Sequence, residues 1–283
     1  MPRDSLPDNG ILQPARHIRD GAGLAASLNQ VLTLEFHRLH IGLPLLIQVV
    51  RGQKRAVLAD GSEHVATAGQ MLLLTPGQAA DIINTPAGDG AYEAHWLAFD
   101  PGLIDRFQND ATPFHQAAVV GPHDGLAQAV AHAHAAVKAT ETPLVIVQHR
   151  LTEVLHWLAL SGARFPRAAP MTQTQVLRAR IEADPGAAWS VTDLTQAAKT
   201  SEASLRRRLH AEGFTPAGLV VEVRMNVALG LLQTTNLSIQ RIAEMVGYDH
   251  ASRFTLRFRE RFGFPPSCVR GHRESGQRQR PSR

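Results

Sequence analysis

The chain has almost no cysteine. Cys268 is the single cysteine among 283 residues, so no internal disulfide can form, and this usage fits a reducing compartment such as the cytosol. The rest of the composition suits a folded protein, with 44% hydrophobic and 19% charged residues, which argues against global disorder. A length of 283 residues favours two domains over one.

Long hydrophobic runs are absent as well. The longest apolar stretch, from Leu43 to Val50, is interrupted by Pro44 and Gln48 and is too short to cross a bilayer. Residues 1–30 include proline and aspartate and lack the apolar core of a signal peptide. A soluble, cytoplasmic protein without a membrane partner is therefore expected.

Catalytic motifs are lacking too. The sequence shows no nucleophile motif, no phosphate-binding glycine loop and no paired carboxylates. We accordingly predict no enzymatic activity, no cofactor and no bound metal. Binding is the expected kind of function.

Acidic residues are outnumbered in the last part of the chain. From Met171 onward there are 17 Lys and Arg against 10 Asp and Glu, a net charge of +7. Residues 1–170 carry 12 against 15, a net charge of −3, and the two parts together give the overall +4. Positive charge gathered in one domain is the pattern expected of a protein that binds phosphate groups.

This basic region contains a repeat. Residues 190–216 and 238–266 both read as a capped short helix, a tight turn and a longer arginine-rich helix. The offset between the copies grows from 48 residues at the first serine to 50 at the last proline. The order predicts two helix-turn-helix motifs, at residues 190–211 and 238–262, and such motifs bind DNA.

Local signals predict the helix boundaries. Ser190 with Asp193 resembles a capping box, and Ser201 can cap the longer helix of the first copy. A threonine followed by proline starts a connecting helix over residues 215–234. At about 19 residues this helix is roughly 28 Å long, so one monomer can reach two adjacent major-groove segments roughly 34 Å apart.

The longer helix of the first copy is predicted to present arginines. Leu205 and Leu209, four residues apart, define its buried side. Arg207 then points away from the core, with Arg206 and Arg208 on its flanks. Arginine can donate to guanine O6 and N7 or to phosphate oxygens, whereas a merely solvated basic face is the alternative.

The longer helix of the second copy has a different outward face. Phe254 and Phe258 mark its buried side. The outward positions are Ser252, Thr255, Leu256 and Arg259, and Arg253 and Arg257 lie on the flanks. The apolar Leu256 either contacts a thymine methyl group or contributes nothing, and the residues leave this open.

Family motifs are clearest in the second copy: Leu237-Ser-Ile-x-x-Ile-Ala-x-x-x-Gly-Tyr, Phe254-x-x-x-Phe258-x-x-x-Phe262-Gly and Pro265-Pro266-Ser267. The region resembles the AraC/XylS transcription regulators, whose DNA-binding unit is two helix-turn-helix motifs joined by one helix. The resemblance implies base contacts at Ala203, Arg206, Arg207, Ala251, Ser252, Thr255 and Leu256. Phosphate contacts are assigned to Arg208, Arg253, Arg257 and Arg259.

The N-terminal half reads as short strands followed by helices. Residues 31–99 hold apolar runs separated by turns, typical of a small barrel or sandwich, beginning with the alternation of Leu32, Leu34 and Phe36. Residues 124–162 carry a helical apolar stripe that packs on its own domain or forms a homodimer interface. The stretch from Gly69 to Gly77 resembles a cupin motif.

The predicted fold class is α+β with two domains, an N-terminal cupin-like β-barrel with helices and a C-terminal all-α domain. The layout is a weakly structured segment at 1–30, a cupin-like regulatory and dimerisation domain at 31–165, a linker at 166–172, an AraC-type DNA-binding domain at 173–271 and a disordered basic tail at 272–283. No metal site is predicted, because Ala80 stands where the cupin motif has histidine and because His37 and His40 fall on opposite faces of a strand.

The expected function is sequence-specific regulation of transcription, as an activator that binds double-stranded DNA and acts with RNA polymerase. A small-molecule effector or a protein partner at the N-terminal domain is expected to control it. Four polar side chains either line an effector pocket or belong only to the core or the surface: Arg38, Gln48, Tyr92 and Trp96. The alternative from another class is a metal-dependent cupin enzyme fused to a DNA-binding domain, with His37 and His95 as ligands.

Overall fold

The computed structural model describes residues 16–270, apart from residues 89, 108–110 and 168. The tail at 272–283, predicted to be disordered, lies outside the described residues, as does the first half of the segment at 1–30. For residues 16–30 the prediction of weak structure is wrong, because they form two antiparallel strands. The second of these pairs along its whole length with a strand far along the chain, a partner that local sequence does not reveal.

The N-terminal domain is a double layer of antiparallel strands. Its strands are β1 (Arg16–Arg19), β2 (Gly23–Gln30), β3 (Leu34–His40), β4 (Leu45–Arg51), β5 (Gln53–Leu58), β6 (Glu63–Thr67), β7 (Met71–Leu74), β8 (Ala79–Thr85), β9 (Tyr92–Phe99) and β10 (Ala117–Val120). One sheet has the order β1-β2-β9-β4-β7-β10, and the other β3-β8-β5-β6. The sheets face each other without closing into one continuous barrel.

The larger sheet is buried on both faces. Its inner face packs against the smaller sheet, where Ile47 and Val49 of β4 lie in the same core as Phe36 of β3. Its outer face packs against helices α2 (Asp124–Lys138) and α3 (Leu144–Leu160), which follow the short α1 (Pro101–Arg106). The helical stripe predicted over 124–162 is therefore largely a packing surface within this domain.

The C-terminal domain is all helical. Its helices are α4 (Gln173–Ala183), α5 (Val191–Ala197), α6 (Glu202–Ala211), α7 (Pro216–Thr234), α8 (Ile239–Met245), α9 (Ala251–Phe262) and α10 (Pro266–Val269). The predicted α+β two-domain class is confirmed. Helix α7 begins at the predicted proline, where the Thr215 side chain accepts from the Gly218 N–H at 3.0 Å.

The helical domain has two separate cores. Leu194, Leu205 and Leu209 of α5 and α6 pack with α4 and the first half of α7. The buried side chains of α8, α9 and the second half of α7 instead belong to the core of the strand domain, which contains Phe36 and Ile47. The strand domain and the second helix-turn-helix motif thus share one hydrophobic core.

Strand β3 differs from its prediction. It begins at Leu34, two residues later than expected, and its pairing with β8 shifts register between Phe36 and Leu39. Arg38 takes a positive φ of 52° at this bulge, and its N–H donates to Asp81 Oδ1 at 2.7 Å. The carboxylate offsets the strain of a left-handed residue and fixes the bulge.

No single helix among the described residues is both long and apolar enough to cross a membrane. One pair passes by length and composition together, Glu202–Ala211 with Pro216–Thr234, but the pair is bent by 58°.

Candidate nucleic-acid interface and effector cavity

The first motif positions its arginines as predicted. The capping box at the start of α5 forms, since Ser190 Oγ accepts from the Asp193 N–H at 3.1 Å and Asp193 accepts from the Ser190 N–H at 2.8 Å. Ser201 Oγ caps α6 by accepting from the Ser204 N–H at 3.3 Å. With Leu205 and Leu209 buried, the following side chains are exposed: Ala203, Arg206, Arg207 and Arg208.

The second motif presents a mixed surface. Its turn contains Gly247 at φ 81°, and Phe254, Phe258 and Phe262 bury one side of α9. Leu256 is 57% exposed, a high value for a leucine in the middle of a helix. Of the other predicted contacts, Ser252, Arg253 and Arg259 are exposed, and Ala251 and Thr255 are half-buried.

Arg257 has a different environment from the other predicted phosphate contacts. Its Nη1 donates to Glu260 at 2.7 Å, and it lines an open cleft of about 870 Å³ together with Arg38 of the strand domain. Arg259 projects roughly 200° further round the helix. The structure thus turns Arg257 toward the strand domain, and its phosphate contact stays a prediction.

Arg224 of α7 joins the two motifs. Its guanidinium donates to Pro185 O and Ala187 O, both at 2.8 Å, in the loop that precedes the first motif. The same group reaches Gly247 O, in the turn of the second motif, at 3.4 Å. A side chain at position 247 would collide with it. Arg224 thus connects the loop before the first motif with the turn of the second.

A second arginine clamps α9 to the strand domain. Arg261 donates from Nη1 to His37 O at 2.9 Å and from Nη2 to Arg38 O at 3.0 Å, the carbonyls of the β3 bulge. The same Nη2 lies 3.8 Å from Glu222 Oε1, and Glu222 also pairs with the buried Arg178 of α4. These hydrogen bonds connect the β3 bulge to α9.

A cavity of about 270 Å³ lies between the two sheets and α7. The wall formed by the strand domain is mostly apolar, and the opposite wall is formed by the second half of α7. The lining includes the polar side chains of His40, Lys54 and Glu182, the last from α4, together with Leu39, Ile41, Leu45, Ile47, Leu74, Trp96, Asn226, Val227, Leu229, Gly230 and Gln233. Mostly apolar cavities with a few polar groups are typical of small-molecule sites.

A buried cation lies in this cavity. Lys54 is 2% exposed, and its Nζ donates to Asn84 Oδ1 at 2.7 Å. The ammonium also lies 5.6 Å from the ring centre of Tyr92 and 5.5 Å from that of Trp96. No carboxylate pairs with it within the described part of the chain, and burial lowers the pKa of Lys54 to about 7.

Two aromatic side chains beside Lys54, and Asn226 in the cavity wall, have polar atoms without hydrogen-bond partners. Among the described residues, Trp96 Nε1, Tyr92 Oη and Asn226 Oδ1 are buried without a hydrogen bond. A buried donor that makes no hydrogen bond costs about 1–3 kcal/mol, and such groups are found where a ligand is bound. Together with Lys54, the indole and phenol are donors suited to an acceptor that carries negative charge.

The predicted pocket residues are only partly brought together. Trp96 lines the cavity and Tyr92 adjoins its lysine, whereas Arg38 lies in the wider cleft. Gln48 shares the face of β4 that carries Leu46, which packs toward the helices. Lys54, the central residue, was missed. The signal was its phase in β5, since it alternates in step with the buried Ala56 and Leu58.

The histidines proposed as metal ligands are dispersed. His37 lies 3.2 Å from Asp81, whereas His95 stacks on His134 at a ring distance of 4.9 Å. His134 is buried, donates to Ala26 O at 3.1 Å, and has its pKa lowered to about 4 by burial. The described residues contain no group of three or more His, Cys, Asp or Glu arranged to hold a metal ion.

Two families match the chain, one in each domain. A family described as an AraC-like ligand-binding domain matches residues 38–169, and one described as a helix-turn-helix domain matches residues 194–272. The chain belongs to the AraC family of transcription regulators. As an AraC-family regulator it binds DNA through its C-terminal domain and has a ligand-binding N-terminal domain.

Individual relatives agree with this assignment. The HTH-type transcriptional regulator YidL from Escherichia coli K12 is 25% identical over 229 residues, which are 79% of this chain and 73% of that protein. The transcriptional activator NphR from Rhodococcus sp. is 30% identical over 137 residues. These residues are 48% of this chain but only 39% of NphR.

The whole fold has a match among solved structures. An apo form of ToxT from Vibrio cholerae superposes with a TM-score of 0.65, covering 88% of this chain and 96% of ToxT at 13% identity. Wild-type ToxT with a bound unsaturated fatty acid gives a TM-score of 0.63 at the same identity. At this identity, the likeness concerns the fold of both domains.

Proposed function

We propose that this AraC-family regulator is a transcription activator that reads DNA with α6 and α9 and is controlled by a small carboxylic acid bound at Lys54. The observation that carries the proposal is a buried ammonium without a carboxylate partner among the described residues, in a cavity walled by α7. This helix connects the two reading motifs, so the ligand touches the element that positions them.

The proposed base contacts are those predicted from the sequence: Ala203, Arg206, Arg207, Ala251, Ser252, Thr255 and Leu256. The assignment is supported by the exposure of the α6 face that carries Arg206, Arg207 and Arg208, and by the exposure of Leu256 on α9. Phosphate contacts are proposed for Arg208, Arg253 and Arg259, with Arg257 the least supported of the four. The footprint of a monomer is expected to span about two turns of DNA.

A carboxylate with an apolar tail fits the cavity chemistry. Lys54 and Trp96 line the cavity and offer N–H donors, Tyr92 packs beside the ammonium, and the surrounding aliphatic side chains accept a hydrocarbon chain. The ligands named with ToxT are of this class, an unsaturated fatty acid and an aryl-butenoic acid. The shared fold makes a similar acid a reasonable effector for this chain.

Two routes can carry the effect of the ligand to the DNA-reading helices. Leu39 and Ile41, in and just after β3, line the cavity, and the neighbouring carbonyls of His37 and Arg38 hold Arg261 of α9. Val227 and Gly230 line the cavity from α7 itself, whose Arg224 fixes both motifs. A ligand that shifts β3 therefore acts on the Arg261 contacts of α9, and one that shifts α7 acts on the Arg224 contacts with the two motifs.

The test is binding of octanoate to the full-length protein, with octan-1-ol as the uncharged match. Lys54→Met is expected to abolish octanoate binding and the octanoate effect on DNA affinity while it leaves DNA binding itself in place. Arg38→Met, in the wider cleft, is the matched control and should change neither. Equal binding of octanoate to wild type and Lys54→Met would refute the site.

The pH dependence has a definite sign. The pKa of Lys54 is lowered from 10.5 to about 7 in the folded protein, so the unfolded chain binds more protons between those values. The free energy of unfolding then rises with pH across this window, and Lys54→Met removes that rise. A carboxylate requires the ammonium form, so octanoate affinity should fall by up to about tenfold per pH unit above pH 7. Isothermal titration at several pH values measures it.

Further parts of the proposal concern partners. Activation implies contact with RNA polymerase, and the activator NphR among the relatives supports that direction. A homodimer through 124–162 is supported by exposed apolar side chains at both ends of α3, Val145 at 55% and Leu160 at 80%. Sedimentation of the wild type against Val145→Glu tests it. We place the protein in the cytoplasm and assign it no catalytic activity.

A further inference from the structure

The first turn of α6 carries a carboxylate at the edge that reads DNA. The offset of 49 residues that aligns Leu205 with Phe254 also aligns Glu202 with Ala251. Ala251 is a proposed base contact, so Glu202 occupies the corresponding place in the first motif. Glu202 is exposed and follows the helix cap Ser201 directly.

Glu202 holds one of the three arginines. Its Oε1 accepts from Arg206 Nε at 2.8 Å and from Arg206 Nη2 at 2.6 Å. Within the described part of the chain, neither Arg207 nor Arg208 has a carboxylate within 4 Å. In α9 the equivalent positions are Ala251 and Thr255, so the pair distinguishes the two motifs.

The geometry leaves the reading edge of Arg206 open. A guanidinium has five N–H groups, and Glu202 uses the Nε–H and one N–H of Nη2. The outer edge, formed by Nη1 and Nη2, is the edge that donates to guanine O6 and N7. A side chain already held in place loses less freedom on binding, and the carboxylate disfavours a swing toward phosphate oxygens.

We propose that Glu202 is a positioning residue that holds Arg206 for a guanine and keeps it from the phosphate backbone. The inference rests on the proposed reading of base edges by α6. An exposed ion pair contributes little to stability, so the effect of Glu202 belongs to recognition and not to folding.

The experiment selects preferred sites from a random double-stranded DNA library with the full-length protein. Arg206→Ala should lower the preference for guanine at one base pair by at least about fivefold. Glu202→Gln should lower the same preference at the same position, raise affinity for random-sequence DNA and steepen its salt dependence by about one ion. The double variant should match Arg206→Ala alone.

Two further variants separate positioning from structure. Glu202→Asp keeps the charge at the helix start but shortens its reach, so it too should lose guanine preference while thermal unfolding stays unchanged. Glu260→Gln is the matched control, because Glu260 pairs with Arg257 at 2.7 Å on α9 but faces the cleft. It should leave every base preference as in the wild type.

The outcomes that overturn the inference are distinct. If Arg206→Ala changes no base preference while Arg207→Ala does, α6 reads DNA without Arg206 and the proposal for Glu202 is refuted. If neither substitution changes a base preference, the reading role of α6 itself fails. If Arg206→Ala changes the preference and Glu202→Gln does not, positioning by Glu202 is refuted. If Glu202→Gln removes a cytosine preference at a neighbouring position and leaves guanine untouched, Glu202 reads DNA directly and the proposal is wrong.

Discussion

The two helix-turn-helix motifs have the same order of helices but different attachments. The first is stabilised by its own small core around Leu205 and Leu209, and an open cleft of about 870 Å³ lies between the strand domain and helices α4, α7 and α9. The second shares its core with the strand domain, where Phe262 packs edge-on against Phe36, and is clamped by Arg261. We therefore expect a signal from the proposed effector cavity to reach the second motif directly and the first through α4 and α7.

The reading surfaces differ in the same way. The motif with its own core presents charge, three arginines in a row, whereas the motif fused to the strand domain presents Ser252, Thr255 and Leu256. The first is suited to strong attachment and the second to discrimination that depends on its exact placement. We infer that control by the effector acts mainly through the placement of the second motif.

Core truncation should show the largest contrast. Phe258→Ala is expected to cost about 3–5 kcal/mol and to destabilise α9 and the strand domain together. Leu209→Ala should cost about 2–5 kcal/mol but affect only the first motif, α4 and the first half of α7. Hydrogen exchange resolved by segment measures both. Faster exchange in the strand domain of Leu209→Ala, equal to that in Phe258→Ala, would contradict the division into two cores.

Removal of the clamp should have the next largest effect. Arg261→Gln loses two charged hydrogen bonds to backbone carbonyls and is expected to cost about 1.5–3 kcal/mol. Exchange should rise in β3 and α9 and stay unchanged in α6, and the response of DNA binding to octanoate should weaken. Glu260→Gln, at an exposed position on the same helix without an assigned DNA contact, is the control. An unchanged response in Arg261→Gln would show that α7 alone transmits the signal.

Arginine substitutions should separate reading from attachment. Arg207→Ala is expected to cost about 1–3 kcal/mol and to relax specificity at one base pair. Arg259→Ala should weaken all sequences alike and lower the salt slope by about one. Arg257→Ala, turned toward the cleft, should lower the slope less than Arg259→Ala. Binding titrations over a range of salt concentrations measure these effects, and identical profiles for Arg207→Ala and Arg259→Ala would remove the distinction.

The helix caps should give the smallest effect. Ser201→Ala removes the cap of α6 and is expected to cost about 1 kcal/mol. His250 makes no side-chain hydrogen bond at the start of α9, so His250→Ala should stay within about 0.5 kcal/mol of the wild type. Chemical denaturation compares the two, and an equal loss in both would show that α9 depends on its cap as α6 does.

Much of the helical domain could be predicted because its signals are local. Ser190 with Asp193, Ser201 and the Thr215-Pro216 pair act within one helical turn, and each marks a helix start in the structure. The apolar spacing of Leu205 and Leu209 likewise gave the buried side of α6. The exposure of the arginines follows from that spacing alone.

The strand domain was less predictable because strand pairing is not local. Residues 16–30 contain the turn dipeptide Asp20-Gly21 but no regular alternation of apolar and polar side chains, and β2 is ordered by β9, far along the chain. The bulge at Arg38 depends on Asp81 of a neighbouring strand. Lys54 was missed for a related reason, since a charged residue in a strand is usually solvated and only packing places it inside.

The sequence by itself determined the family, the two reading helices and the residues that face outward from them, because capping and helical periodicity operate over a few residues. Only the tertiary structure decided that Lys54 lies in a cavity walled by α7, that Arg261 clamps the β3 bulge and that Arg257 faces a cleft. These arrangements depend on contacts between residues far apart in the chain, where burial and unmet hydrogen bonds are set by packing.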